Sequence, residues 1–174
     1  MINLFSKLIN KKEKRFVDLY AGLGGFHQGL KSLGHHCVLA SEINQHLVDL
    51  YKLNYNTVPI KRDIFKINPH DIPEHDILTA GFPCQPFSRS GYQEGFNDLN
   101  RGNHFFKILE ILKYHQTEYF ILENVDTLKK HDKGNTFSII LKELIDLGYE
   151  VDYEILSPHE FNIPQIRKRI FIVG

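Results

Sequence analysis

The sequence predicts an α/β protein built on a mostly parallel sheet, and three stretches support this. Residues 16–20 are typical of a strand that runs into a glycine-rich turn and then a helix over residues 26–33. A second strand and helix are predicted at residues 36–41 and 45–54. A third apolar run, residues 77–80, is typical of a buried strand. Strands that alternate with helices indicate a parallel sheet whose chemistry lies at the carboxyl ends of its strands.

The bulk properties of the chain are those of an ordinary globular domain. Its 174 residues are enough for about one domain, with 42% apolar and 24% charged residues. The 21 basic and 21 acidic residues balance, so the chain lacks the net positive charge typical of a protein that binds nucleic acid stably by itself. No apolar run approaches the roughly 20 residues of a membrane span, and the amino terminus lacks a secretory signal pattern, which favours a cytoplasmic location.

Cysteine and histidine positions predict neither a disulfide framework nor a metal site. Cys37 and Cys84 are the only two cysteines. The ten histidines show no HExxH pattern and no Cys/His pattern at metal-ligand spacing, so we expect no bound metal.

The glycine-rich turn opens the main domain. We divide the chain into a basic amino-terminal extension, residues 1–15, which has the spacing of a short amphipathic helix, and one domain over residues 16–174. Gly22, Gly24 and Gly25 allow positive φ and close approach of a ligand, and the helix that follows offers unpaired N–H groups. The spacing is neither GxGxxG nor a P-loop, and an ordinary tight connection is the alternative interpretation.

Carboxylates follow the second and third predicted strands. Glu42 ends the second strand about twenty residues after the glycine turn, a position suited to hydrogen bonding with ribose hydroxyls. Asp63 and Ile64 end a short third strand. Taken alone, Asp63 is more typical of a helix or turn cap.

Cys84 lies on a predicted stiff loop that follows the fourth predicted strand, residues 77–80. Pro83 and Pro86 restrict the backbone around it, so its thiol is presented by a rigid turn. A lone cysteine is more often a small buried hydrophobe. The polar residues that follow favour a nucleophile, and Arg89 is a nearby positive charge able to lower the pKa of the thiol.

Glu123 follows a fifth predicted strand, residues 119–122, among apolar neighbours. Burial there predicts a raised pKa, as a general acid requires, whereas a structural ion pair with an arginine is the alternative. The remaining chain predicts a polar loop at residues 95–102, helices at residues 103–114 and 137–147, and strands at residues 150–156 and 170–173. The basic residues 167–169 are, in isolation, typical of a solvated strand edge.

Four motifs together resemble the cytosine-5 DNA methyltransferases. They are GFPCQPFSRSG around Cys84, DLYAGLGGF at the glycine turn, ENV at Glu123 and QIRKR before the last strand. The resemblance implies a Rossmann-like S-adenosylmethionine-dependent methyltransferase fold: a mostly parallel seven-stranded sheet with helices on both faces and an antiparallel last strand. It also implies S-adenosylmethionine as cofactor and DNA as partner.

The resemblance also implies a role for each matching residue. Cys84 would attack carbon 6 of cytosine, Glu123 would protonate its ring nitrogen 3, Arg167 would contact the cytosine and Arg169 would support the acid. The implied cofactor-binding residues are Asp18, Tyr20, Ala21, Gly22, Leu23, Gly24, Gly25, Glu42, Ile43, Asp63, Ile64, Phe82 and Pro83. The implied substrate-binding residues are Gln85, Ser88, Asn124 and Gln165.

The chain departs from the family pattern in ways that leave three functions open. Tyr20 stands where the family usually has Phe, Ile43 where a large aromatic is common, and His104 where an apolar cofactor contact is usual. Nothing in residues 1–174 resembles the target-recognition domain or the later motifs of the family. We expect the catalytic part of a split or truncated restriction-modification type enzyme, with a second polypeptide supplying recognition. A tRNA cytosine-5 methyltransferase relative and an inactive cofactor-binding remnant are the alternatives.

Overall fold

A computed structural model describes residues 12–83 and 104–174 and shows one seven-stranded sheet in the order β3-β2-β1-β4-β5-β7-β6. The strands are β1 (Arg15–Leu19), β2 (His36–Glu42), β3 (Ile60–Lys61), β4 (Ile77–Gly81), β5 (Tyr119–Val125), β6 (Asp152–Leu156) and β7 (Arg169–Val173). The helices are α1 (Gly25–Ser32), α2 (Gln45–Tyr55), α3 (His104–His115) and α4 (Asn135–Asp146).

The strand order creates a switch point beside β1. Strand β1 pairs in parallel with β2 on one side and with β4 on the other, and β4 pairs in parallel with β5. The chain therefore moves outward from β1 to β3 and then returns to the other side of β1. Strand β7 pairs antiparallel with both β5 and β6, which confirms the predicted antiparallel last strand.

Alternation along the strands divides the core between the two faces of the sheet. One face of β1 and β4 packs Val17 and Leu78 in a cluster with the apolar sides of α3 and α4, including Ile108 and Ile140. Each of these four side chains is withdrawn from solvent, which is the main source of stability for such a layer.

The opposite face of the sheet carries α1 and α2. Phe16 and Ile77 pack with Leu30 of α1, and Ala40 packs with Tyr51 of α2. The prediction of helices on both faces is therefore confirmed. Strand residues adjacent in sequence point to opposite faces, so Phe16 and Val17 enter different parts of the core.

Two predicted boundaries were wrong, and both concern residues of the site. The third strand ends at Lys61, and Asp63 instead caps a 3-10 turn, Ile64–Lys66, by accepting a hydrogen bond from Phe65 N at 3.1 Å. Strand β5 continues through Val125, so Glu123 lies within the strand rather than after it. Sequence patterns mark where apolar alternation stops, whereas the ladder with β7 extends β5 through its last residues.

Two predictions fall outside the described residues: the amphipathic helix near the amino terminus and the polar loop over residues 95–102. Among the helices in the described ranges, none combines the length and the apolar character needed to cross a membrane.

Candidate active site at the carboxyl edge of the sheet

The register of the sheet aligns three predicted site residues, and Gly81 of β4, in one row. Leu19 pairs with Ser41 on one side and with Ala80 on the other, and Ala80 pairs with Leu122. The residues that come next along these four strands are Glu42, Tyr20, Gly81 and Glu123. Neighbouring strands lie about 4.8 Å apart, so the start of the glycine turn, the end of β4 and the predicted acid share one edge of the sheet.

The glycine-rich turn after β1 has left-handed backbone at three positions. The φ values are 55° at Tyr20, 55° at Gly22 and 83° at Gly24. The turn is tied to β2 by a hydrogen bond from Ala21 N to Ser41 O at 2.9 Å. A bulky residue in the left-handed region costs about 1–3 kcal/mol and persists where surrounding structure determines it, as is common at functional sites.

Tyr55, in the last turn of α2, packs on the glycine turn. A Cβ at position 24 would lie 2.2 Å from the Tyr55 ring, so only glycine fits there. The Tyr55 hydroxyl donates to the carbonyls of Leu23 and Gly24, at 3.2 and 2.9 Å. Its ring stacks on His27 with centroids 4.1 Å apart. Sequence reasoning missed this contact, because helical spacing identifies the inner face of α2 and not the residue against which it packs.

Asp18, the residue two positions before the turn residue Tyr20, has a buried carboxylate that is hydrogen-bonded inside the protein. The residue is 0% exposed; its carboxylate accepts hydrogen bonds from the Thr79 hydroxyl at 2.9 Å and from the Tyr51 hydroxyl at 3.3 Å. Tyr51 is in turn hydrogen-bonded to His27 Nδ1 at 2.7 Å. The cofactor-binding role of Asp18 stays a prediction; in the structure its side chain is buried and hydrogen-bonded to residues beside the glycine turn.

Burial of Asp18 changes its acidity. Desolvation raises the pKa of Asp18 to about 7, against the opposing effect of the hydrogen bonds from Thr79 and Tyr51. A buried carboxyl of this kind links β1, β4 and α2 through one polar group, and the neighbouring backbone N–H of His27 connects it to α1 as well.

Glu42 joins the glycine turn to the start of α2. Its Oε2 accepts a hydrogen bond from Gly22 N at 2.9 Å, and its Oε1 accepts from Ile43 N and Asn44 N, both at 2.8 Å. Asn44 then caps α2 by accepting from His46 N. The carboxylate is only partly buried, so it retains lone pairs for a hydroxyl donor. Ile43 is 64% exposed beside it and offers an apolar surface.

Tyr20 and His104 meet near Asp63. The Tyr20 hydroxyl lies 3.0 Å from His104 Nδ1, and the His104 ring packs against Phe65 with centroids 4.9 Å apart. Burial raises the pKa of Tyr20 and lowers the pKa of His104, while the Asp63 carboxylate raises both. Two residues that depart from the family pattern are therefore hydrogen-bonded to each other.

Three predicted cofactor residues have buried side chains. Ala21, Ile64 and Phe82 are each at most 7% exposed, so contacts of these residues with a ligand would involve backbone atoms. Leu23, Gly25 and Pro83 are exposed at the same edge.

Asn124 holds the chain where it leaves β4. Its Nδ2 donates to Phe82 O at 2.9 Å, and its Oδ1 accepts from Val125 N at 2.8 Å. The residue is 2% exposed. The substrate-binding role of Asn124 stays a prediction; in the structure both ends of its amide are hydrogen-bonded within the protein, and it fixes the backbone two residues before Cys84.

Glu123 forms an ion pair with Arg169 on the neighbouring antiparallel strand. Arg169 Nε lies 2.8 Å from Glu123 Oε1, and both side chains are largely buried. Desolvation raises the pKa of Glu123, while Arg169 and Arg167 oppose the increase. The structure thus contains the ion pair that the alternative interpretation of Glu123 requires. The same ion pair is compatible with a role of Glu123 as an acid, because the arginine lowers its pKa.

The loop before β7 presents exposed polar residues beside this pair. Arg167 and Gln165 are exposed, and Arg167 N donates to the buried Ser157 hydroxyl at 3.1 Å. Ser157 also forms a capping box with Glu160. Sequence reasoning overlooked Ser157, although the Ser-x-x-Glu spacing signals such a cap. Cys84, Gln85 and Ser88 lie outside the described residues.

The chemistry available at this edge is acid-base and hydrogen-bonding chemistry. Within residues 12–83 and 104–174, no group of three or more His, Cys, Asp or Glu side chains is arranged to hold a metal ion.

Several known proteins are similar to this chain in sequence and in fold. The family model described as C-5 cytosine-specific DNA methylase matches residues 14–174. The type II methyltransferase M.DsaV of Dactylococcopsis salina is 46% identical over 166 residues, covering 95% of this chain and 47% of that protein. M.HaeII of Haemophilus aegyptius is 47% identical over 163 residues, covering 94% of this chain and 51% of that protein.

The structure of the S. pombe Dnmt2 methyltransferase is similar as well, with a TM-score of 0.74, 29% identity, and coverage of 92% of this chain and 50% of that chain. This chain thus spans about half the length of the curated relatives that it matches. The methyltransferase fold predicted from the motifs agrees with these similarities. The chain belongs to the C-5 cytosine-specific DNA methylase family.

Proposed function

We propose that this protein transfers a methyl group from S-adenosylmethionine to carbon 5 of cytosine in DNA, through a covalent adduct with Cys84. The observation that carries the proposal is the position of Glu123. Glu123 lies beside Gly81 in the sheet, and Gly81 is three residues before Cys84 in the chain. Burial raises the pKa of Glu123, and Arg169 Nε lies 2.8 Å from its carboxylate. An acid with raised proton affinity, on the strand beside the one that leads to Cys84, suits attack on a pyrimidine ring.

The carboxyl edge has features that fit S-adenosylmethionine. The open backbone at Gly22, where the nearest atom to an added Cβ is 3.9 Å away, leaves room for close approach of a ligand. The Glu42 carboxylate suits the ribose hydroxyls, and exposed Ile43 suits packing on adenine. Asp63 suits the adenine amino group. When bound, the cofactor supplies an electrophilic methyl group on a sulfonium.

The chain's own residues would perform the remaining steps. The Cys84 thiolate adds to carbon 6 of cytosine while Glu123 donates its proton to ring nitrogen 3, so the electron pair of the carbon 5–carbon 6 double bond becomes available at carbon 5. Carbon 5 would then take the methyl group that the bound cofactor supplies, and the electron pair of the broken sulfur–methyl bond would stay on the sulfur. Loss of the carbon 5 proton to a base and elimination of the thiolate restore the double bond, and nitrogen 3 returns its proton to Glu123.

Two arginines would assist this chemistry, Arg169 at the start of β7 and Arg167 in the loop before it. Arg169 holds Glu123 in position through the ion pair, and exposed Arg167 is free to approach the cytosine ring. The cytosine must leave the duplex to reach Cys84, which costs a few kcal/mol and has to be offset by contacts to the extruded base and the strand around it. Gln85, Ser88 and Gln165 are proposed to supply such contacts.

The biological setting that we propose is restriction-modification, as the names of the type II relatives suggest. The balanced charge of the chain favours a second polypeptide that supplies target recognition.

Trapping on 5-fluorocytosine tests the proposal, because fluorine at carbon 5 cannot leave as a proton does and the adduct persists. We expect a DNA adduct that requires S-adenosylmethionine and disappears in Cys84→Ser. An adduct on 5-fluorocytosine RNA but not on DNA would instead assign an RNA substrate. Calorimetry that shows no binding of S-adenosylmethionine would identify an inactive remnant.

A further inference from the structure

The hydrogen bond between Tyr20 and His104 joins two parts of the chain that are 84 residues apart in sequence. The rings meet edge to face, with centroids 5.4 Å apart and planes at 74°. Tyr20 has the left-handed φ of 55°, unusual for an aromatic residue, which aims its side chain away from the ordinary strand direction. Strained backbone of this kind is held in place by the contacts that it makes possible.

The two residues lie on opposite sides of the switch point in the sheet. Tyr20 follows β1, and His104 opens α3, the helix that follows β4. The switch point lies between β1 and β4, because the chain runs from β1 outward to β3 and returns to β4. Open α/β sheets bind their ligands in the crevice at the carboxyl end of such a point. The hydrogen bond therefore lies at this point, between the residue that follows β1 and the helix that follows β4.

Each polar group depends on the other. Both rings are partly buried, and within the described residues the Tyr20 hydroxyl and His104 Nδ1 make their hydrogen bond to each other. The His104 ring also packs against the Phe65 ring, and the Asp63 carboxylate acts on it electrostatically. Replacing one partner leaves a partly desolvated polar group unsatisfied, whereas replacing both by apolar residues of similar shape removes the need for the bond.

We propose that Tyr20 and His104 act as a matched pair that forms one wall of the cofactor crevice and sets cofactor affinity jointly. The proposal rests on the proposed binding of S-adenosylmethionine at this edge. It makes His104 a positioning residue that orients Tyr20, and it makes the two departures from the family pattern a single compensated change.

A double-mutant cycle in cofactor affinity tests the pair. Titration calorimetry with S-adenosylmethionine is performed on the purified protein, on Tyr20→Phe, on His104→Leu and on the double variant. We expect each single variant to bind about tenfold more weakly and the double variant to bind within about threefold of the original protein. Recovery in the double variant is the signature of a matched pair, since independent contacts would give losses that multiply to about a hundredfold.

A matched control removes a similar hydrogen bond away from the crevice. Tyr149 donates to Thr117 O at 2.7 Å, at the opposite edge of the sheet, so Tyr149→Phe should lower the melting temperature without changing cofactor affinity. Melting curves of all variants show whether each one is folded. If the single variants melt earlier but bind the cofactor as tightly as the original protein, the pair is purely structural and the inference is wrong. Multiplicative losses would also overturn it while leaving the proposed function intact. A failure of the original protein to bind would overturn both.

Discussion

Arg169 Nε donates to Glu123 Oε1 at 2.8 Å across the β5–β7 ladder, and this contact opposes the effect of burial on the pKa of the predicted catalytic acid. Burial raises the pKa of Glu123, and the guanidinium limits the increase. A fully uncompensated carboxyl would hold its proton too tightly to donate it readily, whereas a fully solvated one would be ionised at neutral pH. Burial and the ion pair therefore act in opposite directions on the pKa of Glu123.

Arg169→Gln should raise the pKa of Glu123 further, since the largest opposing influence is removed. Methyl transfer falls by roughly tenfold to a hundredfold as the acid loses its orienting partner. The alkaline limb of the pH-rate profile moves to higher pH, because the protonated form persists longer. Lys168→Gln, at the exposed neighbouring position, is the control and should change neither quantity. A profile of Arg169→Gln that keeps the original alkaline limb would show that Glu123 is not the titrating acid.

Asp18→Asn should remove a pH dependence of stability. The folded-state pKa of Asp18 is raised from 3.8 to about 7, so the folded protein binds more protons than the unfolded chain between these values. The free energy of unfolding of the original protein should therefore decrease as pH rises from about 4 to 7, by up to a few kcal/mol at about 1.4 kcal/mol per pKa unit. Asparagine can still accept from Thr79, and its neutral amide does not titrate.

Urea denaturation at several pH values measures this effect. Asp49→Asn, on the exposed side of α2, serves as the control and should keep the slope of the original protein. Equal slopes for Asp18→Asn and the original protein would contradict the raised pKa of Asp18.

Gly24→Ala should destabilise the protein by about 1–3 kcal/mol. Alanine would have to adopt a φ of 83°, and its Cβ would lie 2.2 Å from the Tyr55 ring. That ring is stacked on His27 and has little room to move. Gly29→Ala is the matched control, because Gly29 lies within α1 and nothing lies within 4 Å of its added Cβ. Alanine there should stabilise the helix by up to about 1 kcal/mol. Thermal denaturation compares them, and equal effects would argue against the Tyr55 contact.

Asn124→Ala should impair chemistry more than cofactor binding. The substitution leaves Phe82 O without its donor, two residues before Cys84, so the backbone leading into the cysteine loop is less well fixed. We expect a fall in methyl transfer of roughly tenfold or more, with cofactor affinity changed by about threefold or less. Asn135→Ala, which removes an exposed hydrogen bond to Asp132, is the control. Comparable losses in cofactor affinity and methyl transfer would place Asn124 in the cofactor site instead.

The sequence by itself determined the units of the fold and the residues near its active edge. Period-two apolar runs, glycine after the first strand and helical spacing are local properties, so they identified the strands and helices to within a few residues. The motifs around Gly22 and Glu123 predicted the family, which the match over residues 14–174 bears out. The position of Glu42 at the end of its strand also followed from local patterns, because the polar residue after an apolar run lies at the edge of a sheet, whereas β5 continues two residues beyond Glu123.

Only the tertiary structure decided which of those residues can meet a ligand and which hold the others in place. Asp18 and Asn124 have polar side chains of the kind that bind ligands, and the sequence does not distinguish them from such residues. In the structure both are buried, and their side chains form hydrogen bonds inside the protein. Tyr20 and His104 looked like two separate departures until strand order brought them within hydrogen-bond distance. The physical reason is that strand register and helix packing bring together groups far apart in the chain, and local periodicity carries no information about such partners.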